Sequence, residues 1–476
     1  MAGSLLRIAL FACVMSCCHG SVADRWKAYA ESGVGQNRSR ILFWDWYNEL
    51  IDRILGNGDN SALFGTGDGI GALLNSTDPP IAELMYEWTT LKYDFPKGVE
   101  EIFLEYGEFI PNTNWIAGVQ VYKDEVYVTA PRVKYVKGTP SGLNKVVVKD
   151  GQALLQPFPD LSFQKLGRCS ALQLPTSKAI DPNTGYMYII DTGRAGVISA
   201  SPGNFCPAKI VVLDLNDNGR VVRSHDFPDS VVSNTSNFLN DIVLDYVTPD
   251  GSEVRYAYIS DTGDANLVVF DFQTNTSWAF KDTTMTPAPN GILTINDVNY
   301  TMDFPINGIG MSPNFDYVYY CVIGNNNLYQ IPTSVLRNKT ADFKEYVRNV
   351  GDKGGSSDAI VVGKKNLYFG VMQENAVSEW QRSKDIKSQN VSEGEVNMAT
   401  IQELTSNDVT MQWPDGFTLD DKGYLWFTTE RLQLYLNDKM DFSGGQGSNF
   451  RVFRMFVGDV SYLTKPTSGK KSWWEE

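Results

Sequence analysis

The sequence predicts an all-β protein, a six-bladed β-propeller with an extra helical segment at its N-terminus. The main observation is a short phrase that returns six times at intervals of 50–67 residues: a small residue, an apolar strand, a tight turn and a strand rich in Tyr and Val. That period, with at least two strands per unit, is typical of propellers. Explicit turn sequences such as PNTG, SPNFD and DDKG separate the strands, and an aromatic content of 12% supplies large side chains for a core. The copies begin at Ala117, Thr176, Asn240, Asn307, Ser357 and Asp415.

The chain of 476 residues divides into four predicted regions. These are a signal peptide at 1–20, an N-terminal extension at 21–85, the propeller at 86–464 and a polar tail at 465–476. The signal peptide follows from Arg7, an apolar run from Ile8 to Cys17 and small residues near Gly20. No later stretch reaches 18 apolar residues, so we expect no membrane span and an extracellular, secreted protein.

Sequons and cysteines agree with a secretory route. A signal peptide together with seven N-x-S/T sequons predicts a glycoprotein. The sequons lie at Asn37, Asn75, Asn234, Asn275, Asn299, Asn338 and Asn390. Cys169 and Cys206 flank the second repeat in loop-like sequence, which favours a disulfide between them in an oxidising compartment. Cys321 lies within a strand and is expected to be a buried free thiol.

The N-terminal extension contains helical spacing. Residues 39–55 carry apolar side chains at 43, 46, 47, 50, 51, 54 and 55, the pattern of an amphipathic helix. We expect this helix to pack on the propeller or on a second subunit, so an oligomer formed through it is one open alternative.

Several function classes are disfavoured. A net charge of −15 argues against a nucleic-acid partner. The predicted mature chain has one histidine, His225, so a His/Cys zinc site and a Ser-His-Asp triad lack ligands and partners. No nucleotide-binding glycine motif occurs, and we expect no cofactor. The two Asp-Thr-Gly sequences at Asp191 and Asp261 end strands, where Asp most simply caps a turn rather than forming a protease dyad.

The first residues of the six repeats are the candidate site. Five of them are polar, and the alignment predicts that they point to the propeller axis. Thr176, Asn240, Asn307, Ser357 and Asp415 would orient a small ligand, Asp415 would pair with a cationic group, and Phe369, Trp413 or Tyr329 would add a rim aromatic. The second alternative is a Ca²⁺ site formed by these oxygens with Glu374. Ca²⁺ usually takes six to eight oxygen ligands, and we expect no metal. A purely structural role, in which the polar side chains satisfy strand ends, is the third alternative.

Longer motifs carry a resemblance. The segments PRVKYVKGTPSGLNKVV (131–147), YMYIIDTGR (186–194), CPAKIVVLDLN (206–216), FLNDIVLD (238–245), AYISDTGDANLVVFDF (257–272) and NAVSEW (375–380) resemble the yellow / major royal jelly protein family. The resemblance implies a secreted six-bladed propeller. Some members bind serotonin and related amines at the axis, some are described as converting dopachrome, and others are nutritive or oligomeric.

These implications set three functional hypotheses. The first is a secreted propeller that binds a small aromatic amine or phenolic ligand in its axial pocket, without catalysis. The second is a dopachrome-converting isomerase of pigment formation, for which Asp415 and Glu374 are the candidate catalytic bases. The third is a secreted structural or storage protein.

Overall fold

Six four-stranded antiparallel sheets form the propeller. The computed structural model describes residues 81–287, 291–301 and 304–465. The predicted signal peptide, the N-terminal helix, the sequons at Asn37 and Asn75, and most of the polar tail lie outside these residues. The all-β class and the six blades predicted from the repeat are confirmed.

The blades are numbered along the chain, and the strands follow chain order. The first strand, β1 (Glu83–Trp88), belongs to the last blade. Blade 1 contains β2 (Val119–Tyr122), β3 (Glu125–Thr129), β4 (Leu143–Lys149) and β5 (Gln152–Pro157). Blade 2 contains β6 (Pro175–Asp181) and β7 (Tyr186–Asp191), then an inserted hairpin of β8 (Arg194–Ala195) and β9 (Gly203–Asn204), then β10 (Lys209–Asp214) and β11 (Arg220–Asp226).

The remaining blades repeat this plan. Blade 3 contains β12 (Leu239–Asp245), β13 (Tyr256–Asp261), β14 (Asn266–Asp271) and β15 (Thr276–Phe280), and the hairpin of β16 (Ile292–Ile295) and β17 (Val298–Thr301) follows it. Blade 4 contains β18 (Ile306–Met311), β19 (Tyr317–Val322), β20 (Asn327–Pro332) and β21 (Arg348–Asp352). Blade 5 contains β22 (Ile360–Val362), β23 (Leu367–Val371), β24 (Ala376–Trp380) and β25 (Ile401–Ser406). Blade 6 contains β26 (Pro414–Leu419), β27 (Tyr424–Thr429), β28 (Phe450–Phe456) and, outermost, β1.

Four α-helices occur in the described chain, all short and all in connections. They are α1 (Val99–Glu105), α2 (Thr333–Leu336), α3 (Arg382–Gln389) and α4 (Leu432–Leu436). Within the ranges given above, none of the helices has the length and hydropathy needed to cross a membrane.

The second strand of each blade is buried on both faces. In β7, the sequence YMYIID is buried from Met187 onward, and β13 and β19 have the same pattern. Blades stack face to face around the ring, so both faces of a middle strand lie against neighbours. This packing explains why these strands are continuous apolar runs instead of alternating ones.

The ring is closed by the first strand. Strand β1 pairs antiparallel with β28, so blade 6 contains strands from both ends of the propeller region. The inner strands β2, β6, β12, β18, β22 and β26 contact one another in that order, and β26 contacts β2. All six inner strands therefore surround one axis.

The loops around blade 2 carry the disulfide. Cys169 and Cys206 are bonded to each other, as the sequence predicts. Cys321 is a buried free thiol, also as predicted.

Candidate functional site

An axial cavity is enclosed by the inner strands of all six blades. Its internal volume is about 130 Å³, close to the roughly 150 Å³ of an apolar cavity that holds benzene. Apolar side chains line the end at which the inner strands begin, and Trp115, Phe238, Phe304 and Trp413 are its aromatic members. The cavity is large enough for a small aromatic molecule, and its wall is mostly apolar with a few polar groups, as in typical ligand sites.

The opposite end is covered by a segment that follows β28. Ser461, Tyr462 and Leu463 line the cavity there. The Tyr462 hydroxyl donates to the Leu244 carbonyl at 3.0 Å and accepts from the Leu244 N–H at 2.8 Å. This segment therefore lies across the ends of the inner strands and is fixed to blade 3.

Four of the five predicted ligand-binding residues of the repeat column line the cavity. Thr176, Asn240, Asn307 and Asp415 do so, and so does Ala117, the first residue of the blade 1 repeat. The Thr176 hydroxyl donates to the Leu239 carbonyl at 2.5 Å, so this side chain is already partly used by the backbone.

Three predicted residues lie elsewhere. Ser357 is fully buried, and its hydroxyl donates to the Gly370 carbonyl at 2.6 Å rather than to the cavity. Phe369 lies on the second strand of blade 5, one strand away from the axis, and packs inside the blade. Glu374 is exposed in the turn after that strand. None of the three is a lining residue, so the predicted rim role of Phe369 is wrong. Tyr329 likewise lies within blade 4, stacked on Tyr320, whereas Trp413 does line the cavity.

Three charged lining residues, Lys178, Asp241 and Asp358, are not predicted by the repeat pattern. Each lies one or two positions after the predicted column. The pairing of the inner strand with the second strand is irregular at this point in blades 2, 3, 4 and 6. Such a β-bulge breaks the alternation of side chains and re-aims its residues. In blade 3 the consecutive residues Asn240 and Asp241 consequently both line the cavity, although a strict period of two would turn one of them away from it.

Asp241 is held by three donors on the wall of blade 3. Its carboxylate accepts from the Ser177 hydroxyl at 2.9 Å, from its neighbour Ile242 N–H at 2.8 Å and from Ile309 N–H at 3.2 Å. Burial nevertheless raises the pKa of Asp241 to about 6, because desolvation outweighs these hydrogen bonds and the charge of Lys178.

Asp358 and Asp415 face the same cavity from blades 5 and 6. Asp358 accepts from the Trp413 indole N–H at 2.7 Å, and burial raises the pKa of its carboxyl to about 6. Asp415 accepts from the Gly416 N–H at 2.7 Å. Burial raises the pKa of Asp415 well above its usual value, and the nearby charges of Asp358 and Asp241 raise it further. Three carboxyl groups thus share one desolvated space.

Lys178 is the one basic side chain among the described lining residues. It is almost fully buried, and its Nζ donates to the Gly118 carbonyl at 3.0 Å. Burial lowers the pKa of Lys178 to about 7, against the opposing attraction of Asp241 and Asp415. The cavity therefore holds three acidic groups and one amine.

Behind this wall lies Glu430, fully buried, with neither carboxylate oxygen hydrogen-bonded to the described residues. The nearby Thr428 hydroxyl donates instead to the Ala117 carbonyl at 2.7 Å. Burial raises the pKa of Glu430 well above its usual value, and the charge of Asp415 adds to this.

The two Asp-Thr-Gly sequences are turns. Asp191 accepts the N–H groups of Gln173, Leu174 and Gly193. Asp261 accepts those of Phe238, Gly263 and Asp264. The two carboxylates belong to different blades and are capping groups, as the sequence analysis predicts.

Within the described chain, no group of three or more His, Cys, Asp or Glu side chains is arranged to hold a metal ion. The described lining residues supply carboxyls, amides and one amine among apolar side chains. Such a site suits a small molecule with a positive group and an apolar ring.

Comparisons with known proteins agree with the sequence motifs. A family model described as "Major royal jelly protein" matches residues 178–461. Major royal jelly protein 7 of Apis mellifera is 26% identical over 399 residues, covering 81% of this chain and 86% of that protein. Protein yellow of Drosophila madeirensis is 23% identical over 384 residues, covering 77% of this chain and 64% of that protein.

Among solved structures, a luciferin-regenerating enzyme covers 80% of this chain and 97% of its own, with 13% identity and a TM-score of 0.43. A likeness of this size carries no inference about activity.

Proposed function

The chain belongs to the major royal jelly protein family, and we propose that it is a secreted glycoprotein that binds a small aromatic amine in its axial cavity. The observation that carries the proposal is that three aspartates, Asp241, Asp358 and Asp415, line a largely apolar cavity together with Lys178. An ammonium group would pair with these carboxylates in place of water, which burial has removed from them. The aromatic side chains of the lining would contact the ligand ring.

The proposal is tested by calorimetric titration of serotonin, dopamine and histamine into the full-length protein at neutral pH. We expect at least one of them to bind in the micromolar range. Asp415→Asn and Asp241→Asn should each weaken binding about 10-fold or more, because a charge-assisted contact contributes roughly 1.5–3 kcal/mol.

Glu374→Gln is the matched control, since it removes an exposed carboxylate that does not line the cavity. Its affinity should equal that of the wild type. If none of the three amines releases heat at high micromolar concentration, amine binding is excluded for these ligands. If Asp415→Asn binds as tightly as the wild type, Asp415 has no part in it.

A dopachrome-converting activity is the second candidate. The observation that favours it is Asp415, a carboxyl with a raised pKa at the cavity wall, which is the kind of group that moves a ring proton near neutral pH. Loss of dopachrome absorbance should then exceed the spontaneous rate, and Asp415→Ala should abolish the excess. Equal rates with and without protein would contradict this activity.

Secretion and glycosylation are part of the proposal. Residues 1–20 would be removed and the sequons modified. Of the five sequons in the described chain, Asn275, Asn299, Asn338 and Asn390 are exposed, and Asn234 is half-buried. Expression in insect cells should release protein into the medium, and treatment with a peptide N-glycosidase should lower its mass. A product retained in the cells, or a mass unchanged by the glycosidase, would contradict it.

A further inference from the structure

Among the residues that the structure describes, three lysines are almost fully buried, and Lys178 differs from the other two. Lys209 Nζ donates to the carbonyls of Cys169 and Ala171, each at 2.6 Å, and lies 3.4 Å from the Asp191 carboxylate. Lys353 donates to the Asn326 carbonyl at 2.8 Å. Both amines bind backbone carbonyls, and neither residue lines the cavity. Lys178 lines the cavity.

The Lys178 amine is only lightly held. Its one hydrogen bond is to the Gly118 carbonyl. In the part of the chain that the structure describes, no carboxylate oxygen lies within ion-pair distance of it, since all the ion pairs of those residues involve other lysines and arginines. A primary ammonium can donate three hydrogen bonds. At Lys178 the described residues accept one of these hydrogen bonds, and the amine lies at the wall of a pocket with room for a ligand.

Burial favours the neutral amine. The pKa of Lys178 falls to about 7, so about half of the molecules carry a free amine at pH 7. An exposed lysine with a pKa near 10.4 has roughly one in 2,500. Desolvation of a lysine in an apolar pocket is an established way to make it nucleophilic.

The charged groups that face Lys178 are acids. Asp241 of β12 and Asp415 of β26 are close enough to act on its charge, and Asp358 lines the same cavity from blade 5. Burial raises the pKa of each of these carboxyls and so favours its protonated form. An amine and a proton donor therefore share one cavity, which is the pair that condensation with a carbonyl group requires.

We propose that the axial cavity captures small aromatic aldehydes and ketones as a reversible imine on Lys178. The Nζ lone pair attacks the carbonyl carbon and gives a carbinolamine. An aspartic acid carboxyl protonates the hydroxyl, the C–O bond breaks, and water leaves. The nitrogen loses its remaining proton to the carboxylate, so one carbonyl and one amine give one C=N bond and one water. The apolar wall would contact the aromatic ring.

The test is reductive trapping with 4-hydroxybenzaldehyde and cyanoborohydride on the full-length protein at pH 7, read by intact mass and peptide mapping. We expect Lys178 to be modified at least about 10-fold faster than exposed lysines such as Lys422, because its larger neutral fraction outweighs its lower intrinsic nucleophilicity. Lys353, equally buried but outside the cavity, should stay unmodified.

Lys178→Arg keeps the positive charge and cannot form an imine. In this variant, the rapid modification assigned to Lys178 should disappear, and only the slow labelling of exposed lysines should remain. The comparison of Lys178 with Lys353 and Lys422 within the wild type gives the same answer without any variant. Labelling spread evenly over exposed lysines, with Lys178 unmodified, would overturn the proposal. The reaction is read with no amine present, so a failure of amine binding would leave this result unaffected.

Discussion

The cavity desolvates Asp241, Asp358 and Asp415 together and so favours the protonated form of each carboxyl. Each carboxyl has a raised pKa, with burial as the largest cause, and for Asp415 the neighbouring carboxyls add to it. Below about pH 6, a cation that enters must displace protons from Asp241 and Asp358. Binding of an amine is therefore coupled to pH through identified residues.

The first prediction is that amine affinity falls with acidification. Asp241 and Asp358 have pKa values of about 6, so at pH 7.5 they are ionised and at pH 5 they are mostly protonated. Each carboxylate that must be ionised for binding then weakens the affinity about 10-fold between the two pH values. Calorimetry with serotonin at both values measures the loss, and Glu374→Gln should show the same profile as wild type. A flat profile would exclude both aspartates from the amine contact.

The second prediction concerns Lys178 and stability. Its pKa is lowered to about 7 in the folded state from about 10.4 in an unfolded chain. Between these values the unfolded state binds one more proton, so the free energy of unfolding rises with pH there, by up to about 1.4 kcal/mol per unit. Lys178→Met lacks this increment. Urea unfolding of both proteins between pH 7 and pH 9 should show a steeper rise for the wild type.

Equal slopes for wild type and Lys178→Met would show that Lys178 keeps an ordinary pKa. The neutral amine on which imine formation depends would then be absent at pH 7.

What the sequence predicts at this scale depends on local backbone geometry. The repeat alignment correctly brings Thr176, Asn240, Asn307 and Asp415 to one axis, because a period of one blade is a property of the pattern. The alignment does not predict that Asp241 lines the cavity, because the β-bulge that turns its side chain leaves no mark in the apolar pattern. Ser357 was predicted to face the ligand, but the Gly370 carbonyl offers its hydroxyl a partner that sequence cannot reveal.

At the scale of elements, neighbouring blades are joined by a repeated hydrogen bond. The penultimate or last residue of the second strand donates to the carbonyl of the first residue of the next repeat. Thr129 donates to the Thr176 carbonyl at 2.8 Å, Ser260 to that of Asn307 at 2.6 Å and Thr428 to that of Ala117 at 2.7 Å. Cys321 occupies the same place and approaches the Ser357 carbonyl at 3.7 Å, which gives its thiol a packing role.

Glycine permits the same close approach. Gly416 has a φ of +57°, and a Cβ there would lie 2.6 Å from the Ala117 carbonyl oxygen and 2.8 Å from the Gly118 Cα. Blade 6 can therefore meet blade 1 only with glycine at this position. The Asp-Gly pair at 415–416 combines a site carboxylate with the residue that lets the ring close.

The third prediction tests the repeated bond. Thr428→Val keeps the side-chain shape but leaves the buried Ala117 carbonyl without that donor, so we expect a loss of about 1–3 kcal/mol in the free energy of unfolding. Thr129→Val should cost more, because the Thr129 hydroxyl also accepts from the Gly118 N–H at 3.0 Å. Denaturant unfolding measures both.

Thr294→Val is the control for this series. Thr294 is exposed on the β16–β17 hairpin, and its substitution should change stability by less than about 0.5 kcal/mol. If Thr428→Val matched this control, the inter-blade bond would contribute nothing to closure.

At the scale of the whole molecule, residues 83–94 bind both to β28 of blade 6 and to β5 of blade 1. Strand β1 pairs with β28, and Arg454 of β28 binds Glu83 at 2.7 Å. The Trp88 indole donates to the Ala153 carbonyl of blade 1 at 2.8 Å, and the backbone of Lys92 and Asp94 hydrogen-bonds to Leu155. No local pattern links residue 83 with residue 454, so this closure was beyond sequence analysis, whereas the number of blades was not.

The fourth prediction follows from this arrangement. Replacing residues 83–88 by a Gly-Ser segment of equal length removes the outermost strand, the Trp88 contact and the Glu83 ion pair, and leaves β28 as an unpaired edge. We expect amide hydrogen exchange to quicken in β28 and in β5 of blade 1, the two strands that the segment fastens. Strands β12–β14 of blade 3, on another part of the ring, should keep their protection, because exchange from a locally opened edge does not require global unfolding. If blade 3 loses protection together with β28, the ring unfolds as one unit and closure sets the stability of the entire propeller. If β28 stays protected, β1 is not the strand that closes the ring, and the convergence of six blades on one cavity would need another explanation.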